Sequence, residues 1–166
     1  MPHPHETPTL ADLKESVYSL SYGVYLITVG NGPIRSGMTV VWACQLSKDP
    51  IRIGIGITPD SVTAGQLTAV RQFCIQVLTA GQEPIAYRFG SSSLSQDEKF
   101  GTDQWEVTPA GHPLLPGTLA WMDAEVETIT DLGTHLWVTA SVVNGKKRNG
   151  SPLIYHNGQI KTFPGL

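Results

Sequence analysis

The heptapeptide Ile51-Arg52-Ile53-Gly54-Ile55-Gly56-Ile57 constrains this chain more tightly than any other stretch. Its strict alternation puts four isoleucines on one face and Arg52, Gly54 and Gly56, with Thr58 beyond, on the other, the pattern of a strand with one buried side. The two glycines leave room for another group, a ligand among the candidates, to approach the backbone. Upstream, the apolar run from Gly37 to Leu46 reads as a second strand. Ser47-Lys48-Asp49-Pro50 joins the two as a polar loop, since a proline cannot donate to a ladder.

A chain of 166 residues is expected to form one domain, 1–166, able to bury about 70% of its unfolded surface without a metal or disulfide staple. Seventeen glycines and twelve prolines suit the many turns of a mainly β protein. A formal charge of −3 gives no electrostatic footprint for nucleic acid or an anionic membrane. No run approaches the ~20 apolar residues of a membrane helix, and the start, MPHPHETPTL, lacks the apolar stretch of a secretory leader. Residues 1–8, with His3 and His5 among prolines, are read as a flexible terminus rather than a metal tract. Cys44 and Cys74 both sit in strand-like runs and are expected as buried packing residues. With no metal spacing and no disulfide framework, the expected compartment is the cytoplasm.

Taken in order, Thr9 to Leu20 is expected as a helix over an open barrel end, with Thr9 as N-cap, Asp12 completing a capping box, and Leu10, Leu13, Val17 and Leu20 on one face. Tyr22 to Val29 reads as a strand and Gly30-Asn31-Gly32-Pro33 as a turn. After the alternating strand, Pro59-Asp60-Ser61-Val62-Thr63 opens a helix through about Val70, whose first turn either seats a phosphate or is merely capped. Gln72 to Leu78 reads as a strand and Glu83 to Phe89 as a short helix. Gly90 to Gly101 is read as an irregular loop able to fold over a site, in which Lys99 has the appearance of a solvated lysine. Thr118 to Thr130 is a long strand with a bulge near Met122-Asp123, and its partner runs from Leu136 to a turn at Asn144-Gly145, with Lys146-Lys147-Arg148 as a solvated tip. Pro152 to His156 and Ile160 to Phe163 form a last hairpin around Asn157-Gly158.

The sequence lacks G-x-S-x-G, H-E-x-x-H, G-x-x-x-x-G-K-[ST] and G-x-G-x-x-G, so any redox chemistry has to come from an organic cofactor. The motifs that remain come in a telling order: Tyr22-Gly23-Val24-Tyr25, Gly37-Met38-Thr39-Val40-Val41-Trp42, Ser47-Lys48-Asp49-Pro50, Phe73 to Leu78, Lys99-Phe100, Gly133-Thr134-His135 and Pro152 to Gly158. Over about 130 residues this order resembles the flavin reductase-like, FMN-binding split-barrel family, flavoredoxin among its members. The resemblance implies a mainly β, antiparallel split barrel of Greek-key type with a few short helices. It implies FMN, with FAD as the alternative, and NAD(P)H as co-substrate. In the implied site Ser36, Met38, Thr39, Val40, Val41 and Trp42 border the flavin, and Ser61 and Thr63 at the helix start seat its phosphate. Lys99 belongs to the covering loop, His135 opens the late strand in the catalytic position, and Phe163 is the C-terminal aromatic. Ser36 stands where the family often has Asn or Ala, and Thr134 replaces the usual acid of Gly-Asp-His. The resemblance further implies a homodimer and, as partner, a flavin-accepting monooxygenase or an electron-transfer protein. The activity implied is hydride transfer from nicotinamide to flavin, the alternatives being an FMN electron carrier and a cofactor-less interaction module.

Overall fold

The computed structural model describes residues 7–163, so the readings of His3 and His5 lie outside it. The chain runs α1 (Leu10–Tyr18), β1 (Ser21–Gly23), β2 (Tyr25–Asn31), β3 (Ile34–Val40), β4 (Ala43–Lys48), β5 (Ile51–Ile57), α2 (Val62–Val70) and β6 (Gln72–Val77). It continues through α3 (Glu83–Gly90), α4 (Gln96–Phe100), β7 (Glu106–Val107), β8 (Pro113–Leu114), β9 (Ala120–Asp131), β10 (Leu136–Lys147), β11 (Leu153–His156) and β12 (Gln159–Thr162). Seven strands form one antiparallel sheet in the order β3-β2-β6-β9-β10-β5-β4, and a smaller sheet holds β1-β11-β12.

The edges of the large sheet are β3 and β4, consecutive in the chain and separated by Val41 and Trp42 alone. Three Cα steps of ~3.8 Å span at most ~11 Å. Laid flat, seven strands ~4.8 Å apart would put those edges ~29 Å from each other. The sheet must therefore curl until its edges nearly meet, and it is not closed: the fold is the expected split barrel. Trp42 clamps the junction by accepting a 2.7 Å hydrogen bond from Gly56 N on its carbonyl oxygen.

Alternation decides what fills the curl. Ile53, Ile55 and Ile57 of β5 are buried with Ile27 and Val29 of β2, Phe73 and Ile75 of β6, Val138 and Ala140 of β10, and Leu67 of α2. Ile51 at the mouth is half exposed. Val24 and Leu26 point the other way, into a second cluster with Phe89, Phe100 and Leu153, where Phe89 and Phe100 meet edge to face at 5.2 Å. The 107–115 segment folds over β2 and β6, held by Thr28 Oγ1 and Gln76 Nε2 donating to Pro113 O at 2.6 and 2.9 Å and by Leu115 N donating to Gln76 Oε1.

Several expectations need correction. Helix α1 has its capping box, but no residue of it is buried and Leu13 is 55% exposed, so it covers no barrel end within the chain. The Tyr22 to Val29 strand breaks at Val24, and the Gly37 to Leu46 run breaks at Val41-Trp42. The loop from Gly90 to Gly101 contains α4, capped by Ser95 and Glu98. Asn144-Gly145 is no turn: both residues pair with β9, opposite Asp123 and Met122, and Lys146 and Lys147 continue the ladder. The expected bulge near Met122-Asp123 lies across from them, between Val142 and Asn144, with another between Thr139 and Ala140. Cys44, on the edge strand, is exposed, whereas Cys74 is buried. The hairpin at Asn157-Gly158 forms as expected, both residues at positive φ.

Candidate functional site

Where the sheet edges meet, two adjoining hollows share Met38, Thr39 and Thr58. The larger, about 400 Å³, lies between β3, the start of α2 and the 89–99 segment; the smaller, about 140 Å³, lies at the Val41-Trp42 junction. Together they make one elongated cleft of a size usual for small-molecule sites.

One end gathers hydrogen-bond donors and a lysine. Ser61 is the N-cap of α2: its Oγ accepts from Ala64 N at 3.0 Å and donates to Thr58 O at 3.0 Å. The N–H groups of Val62 and Thr63 are left without acceptors among the described residues, as the first turn of a helix dictates. Thr63 is fully buried, lines the cleft, and its Oγ1 has no hydrogen-bond partner among the described residues, a costly arrangement unless something else accepts from it. Lys99 is 7% exposed, lines the same hollow, and has no carboxylate within 4 Å among the described residues. Burial holds its ammonium below the ordinary lysine pKa. Asp60 also lines this end and limits its positive potential. Lys99, expected as a solvated side chain on composition, is instead drawn inward by the burial of its neighbour Phe100 in the second core cluster.

The other end is apolar and aromatic. Trp42, 43% exposed, leans on the His135 ring with centroids 4.4 Å apart and planes tilted by 53°. His135 Nδ1 lies 3.1 Å from Thr134 Oγ1, so the threonine that stands in place of an acid is the ring's hydrogen-bond partner. The glycine face of β5 supports this end, but as seats for indoles: a Cβ on Gly54 would fall 2.2 Å from Trp137 and one on Gly56 3.2 Å from Trp42. At Gly54 the room expected for a ligand is filled by Trp137, whereas Gly56 lines the smaller hollow beside Trp42. Strand β3 is fixed from behind, with Thr39 Oγ1 donating to Ala86 O at 2.7 Å and Gly37 N donating to Gln96 Oε1 at 2.8 Å.

Nine of the anticipated residues, Met38, Thr39, Val40, Val41, Trp42, Ser61, Thr63, Lys99 and His135, thus line this cleft. Two do not. Ser36 is buried and its hydroxyl donates to Gln66 Oε1, while Phe163 lies in a separate hollow with Pro152 and Ile154. Thr58, Phe89, Ser91 and Gln96 line the cleft without having been singled out. The serine-rich composition of the 90–95 stretch was the sequence signal for Ser91, and the glycine face of the alternating strand, with Thr58 beyond it, the signal for Thr58.

An open barrel with a donor-rich end to its cleft and an aromatic slot at the other has the form of a site for an elongated, anionic, ring-bearing molecule. The model of the flavin reductase like domain matches residues 17–164, and the chain belongs to that family. A relative, the NADPH-flavin oxidoreductase of Streptomyces viridifaciens, is 30% identical over 154 residues, covering 91% of this chain and 79% of its own. The reductase subunit HsaB of a flavin-dependent monooxygenase from Rhodococcus jostii is 33% identical over 143 residues, covering 82% and 69%. Among solved structures, BorF, the flavin reductase component of a bacterial two-component tryptophan halogenase, superposes with a TM-score of 0.86 at 27% identity over 95% of this chain and 100% of that one.

Proposed function

We propose that this protein is an NAD(P)H:flavin oxidoreductase that hands reduced flavin to a separate acceptor enzyme. The observation that carries the reading is Thr63 Oγ1, buried and unpartnered beside two free helix N–H groups and the buried Lys99. This donor set is what a flavin's terminal phosphate, common to FMN and to half of FAD, would satisfy.

In this reading Thr63, the Val62 and Thr63 N–H groups and Lys99 hold the phosphate, and Met38 to Trp42 border the ring. When bound, the flavin supplies the hydride-accepting chemistry, and the protein supplies binding and orientation. Trp42 and residues of the segment from Phe89 to Gln96 wall the cleft. His135 stands at the outer end, where its ring, fixed by Trp42 and Thr134, would position the nicotinamide donor rather than move a proton. Relatives named as reductase components of a monooxygenase and a halogenase support an acceptor of that kind, and a homodimer is part of the same proposal. No helix among the described residues is long and apolar enough to cross a membrane.

Anaerobic titration with NADH and NADPH tests the reading: one of them should bleach the absorption band of flavin mixed with catalytic amounts of protein. A protein that binds flavin but leaves the band intact with both donors would be a flavin carrier instead.

A further inference from the structure

Of the three residues that line both hollows, Met38 alone carries sulfur. It is half-buried on β3, packed against the core of the curled sheet, and its Sδ lies 3.6 Å from Ser61 Oγ. A thioether is a weak acceptor, and the single hydroxyl hydrogen of Ser61 has a stronger one in Thr58 O at 3.0 Å. Leucine would fill much the same space, so packing alone does not call for sulfur here. The other methionine among the described residues, Met122, lines a separate apolar hollow with Tyr25 and Ile75.

What this end of the cleft lacks is an acceptor. Thr63 Oγ1 and the N–H groups of Val62 and Thr63 have none among the described residues, and both residues border the hollow that Met38 lines. Methionine can gain an acceptor by a change of its own, because oxidation turns its apolar thioether into a polar sulfoxide. Hydrogen peroxide suffices: the sulfur lone pair takes one peroxide oxygen, the O–O bond breaks, and the other oxygen leaves as water. Reduced flavin that meets dioxygen instead of its acceptor enzyme produces that oxidant, so the reaction proposed for the cleft supplies it on the spot. An oxygen added on the Ser61 side of Sδ lies within hydrogen-bonding reach of the Ser61 hydroxyl and draws it from Thr58 O. It also sets a partial negative charge at the start of α2, where a flavin phosphate would otherwise sit.

We propose that Met38 is a modification site, converted to its sulfoxide by hydrogen peroxide, and that the oxidised side chain closes the phosphate seat to flavin. The inference rests on the flavin reading given above, and the test separates the two. Wild type and Met38→Leu are treated with hydrogen peroxide and then with dithiothreitol, which returns mildly oxidised Cys44, the exposed cysteine, to its thiol and leaves a sulfoxide in place. Each protein is digested for mass analysis and titrated with FMN and FAD against its own untreated sample. The wild type should gain one oxygen on the peptide bearing Met38, and its dissociation constants should rise roughly tenfold, the worth of one or two hydrogen bonds. Methionine sulfoxide reductase should restore both mass and affinity, which oxidative unfolding would not allow. Met38→Leu, with Met122 still in place, should keep its own untreated constants after peroxide. A Met38 that takes up no oxygen overturns the inference, as does an oxidised Met38 with flavin affinity unchanged or a Met38→Leu variant that loses affinity alike. An untreated wild type that binds neither flavin overturns the flavin reading, and this inference with it.

Discussion

Thr63 and Lys99 carry opposite signatures of the same need, one an uncharged donor left without an acceptor, the other a cation partly stripped of water. Thr63→Ala should weaken flavin binding by about 0.5–1.5 kcal/mol, the net worth of one hydrogen bond, and Lys99→Ala by up to about 3 kcal/mol for a charge-assisted one. Titration of flavin affinity against both variants checks this, and unchanged affinity in both would remove the seat. The lysine also sets a pH dependence. Burial lowers its pKa in the free protein, and a bound phosphate favours the charged form, so affinity should fall as pH rises through the lowered value, earlier than an ordinary lysine would allow. Lys99→Ala should flatten that alkaline limb. His135 is a different matter, for it touches Trp42 and Thr134 and lies away from the anion seat. Its truncation to alanine should slow anaerobic flavin reduction about tenfold, near 1.4 kcal/mol of transition-state stabilisation, and shift flavin affinity far less. Reduction at the wild-type rate would take His135 out of the mechanism.

Elements explain why some of this was legible and some was not. Side chains that cap or turn the chain announce themselves: Thr9 with Asp12, Ser61 before α2, and Asn157-Gly158 are all where their local chemistry puts them. The break at Val41-Trp42 was hidden because it interrupts an unbroken apolar run, and it exists only because two sheet edges must meet there. Helix α4 is too short to show a period, with Phe100 as its apolar anchor. Asn144-Gly145 misleads because glycine serves a second purpose: neither residue has the positive φ a tight hairpin needs, and a Cβ on Gly145 would fall 2.8 Å from Trp121 O. Also invisible in sequence was the polar underside of the 107–115 segment, where among the described residues the ring nitrogens of buried His112 have no well-aligned hydrogen-bond partner, Gly30 backbone being the nearest candidate, and Asp123 Oδ1 has none. Burial pushes the His112 pKa down, with Asp123 and the Gly30 backbone pulling the other way. The unfolded chain therefore binds the proton more readily, and stability present above about pH 6.5 should be lost as pH falls through the folded value. Thermal unfolding of the wild type and His112→Gln at several pH values checks this. The wild type should lose more of its midpoint on acidification than the variant, and parallel losses would put the effect elsewhere.

At the scale of the whole molecule, α1 poses the sharpest question. Nine residues make a helix too short to persist in water on its own, yet none of its side chains is buried, and Leu10, Leu13 and Val17 are each more than half exposed along one stripe. Two other features point to a missing surface. The outer strand β4 presents Leu46 and the exposed Cys44 at an unpaired edge, and Ile51 at its turn is 51% exposed. A second copy of the chain, packed across a two-fold axis, would cover such a stripe with an identical one and blunt both edges. Sedimentation at micromolar concentration should accordingly show a dimer. Leu13→Asp combined with Val17→Asp, both on the solvent side of α1 within one chain, should shift it to monomer while the sheet's circular dichroism is retained, since no intrachain packing is lost. A monomeric wild type would sink the dimer, whereas a doubly substituted protein that stays dimeric would move the interface from α1 to the β4 edge.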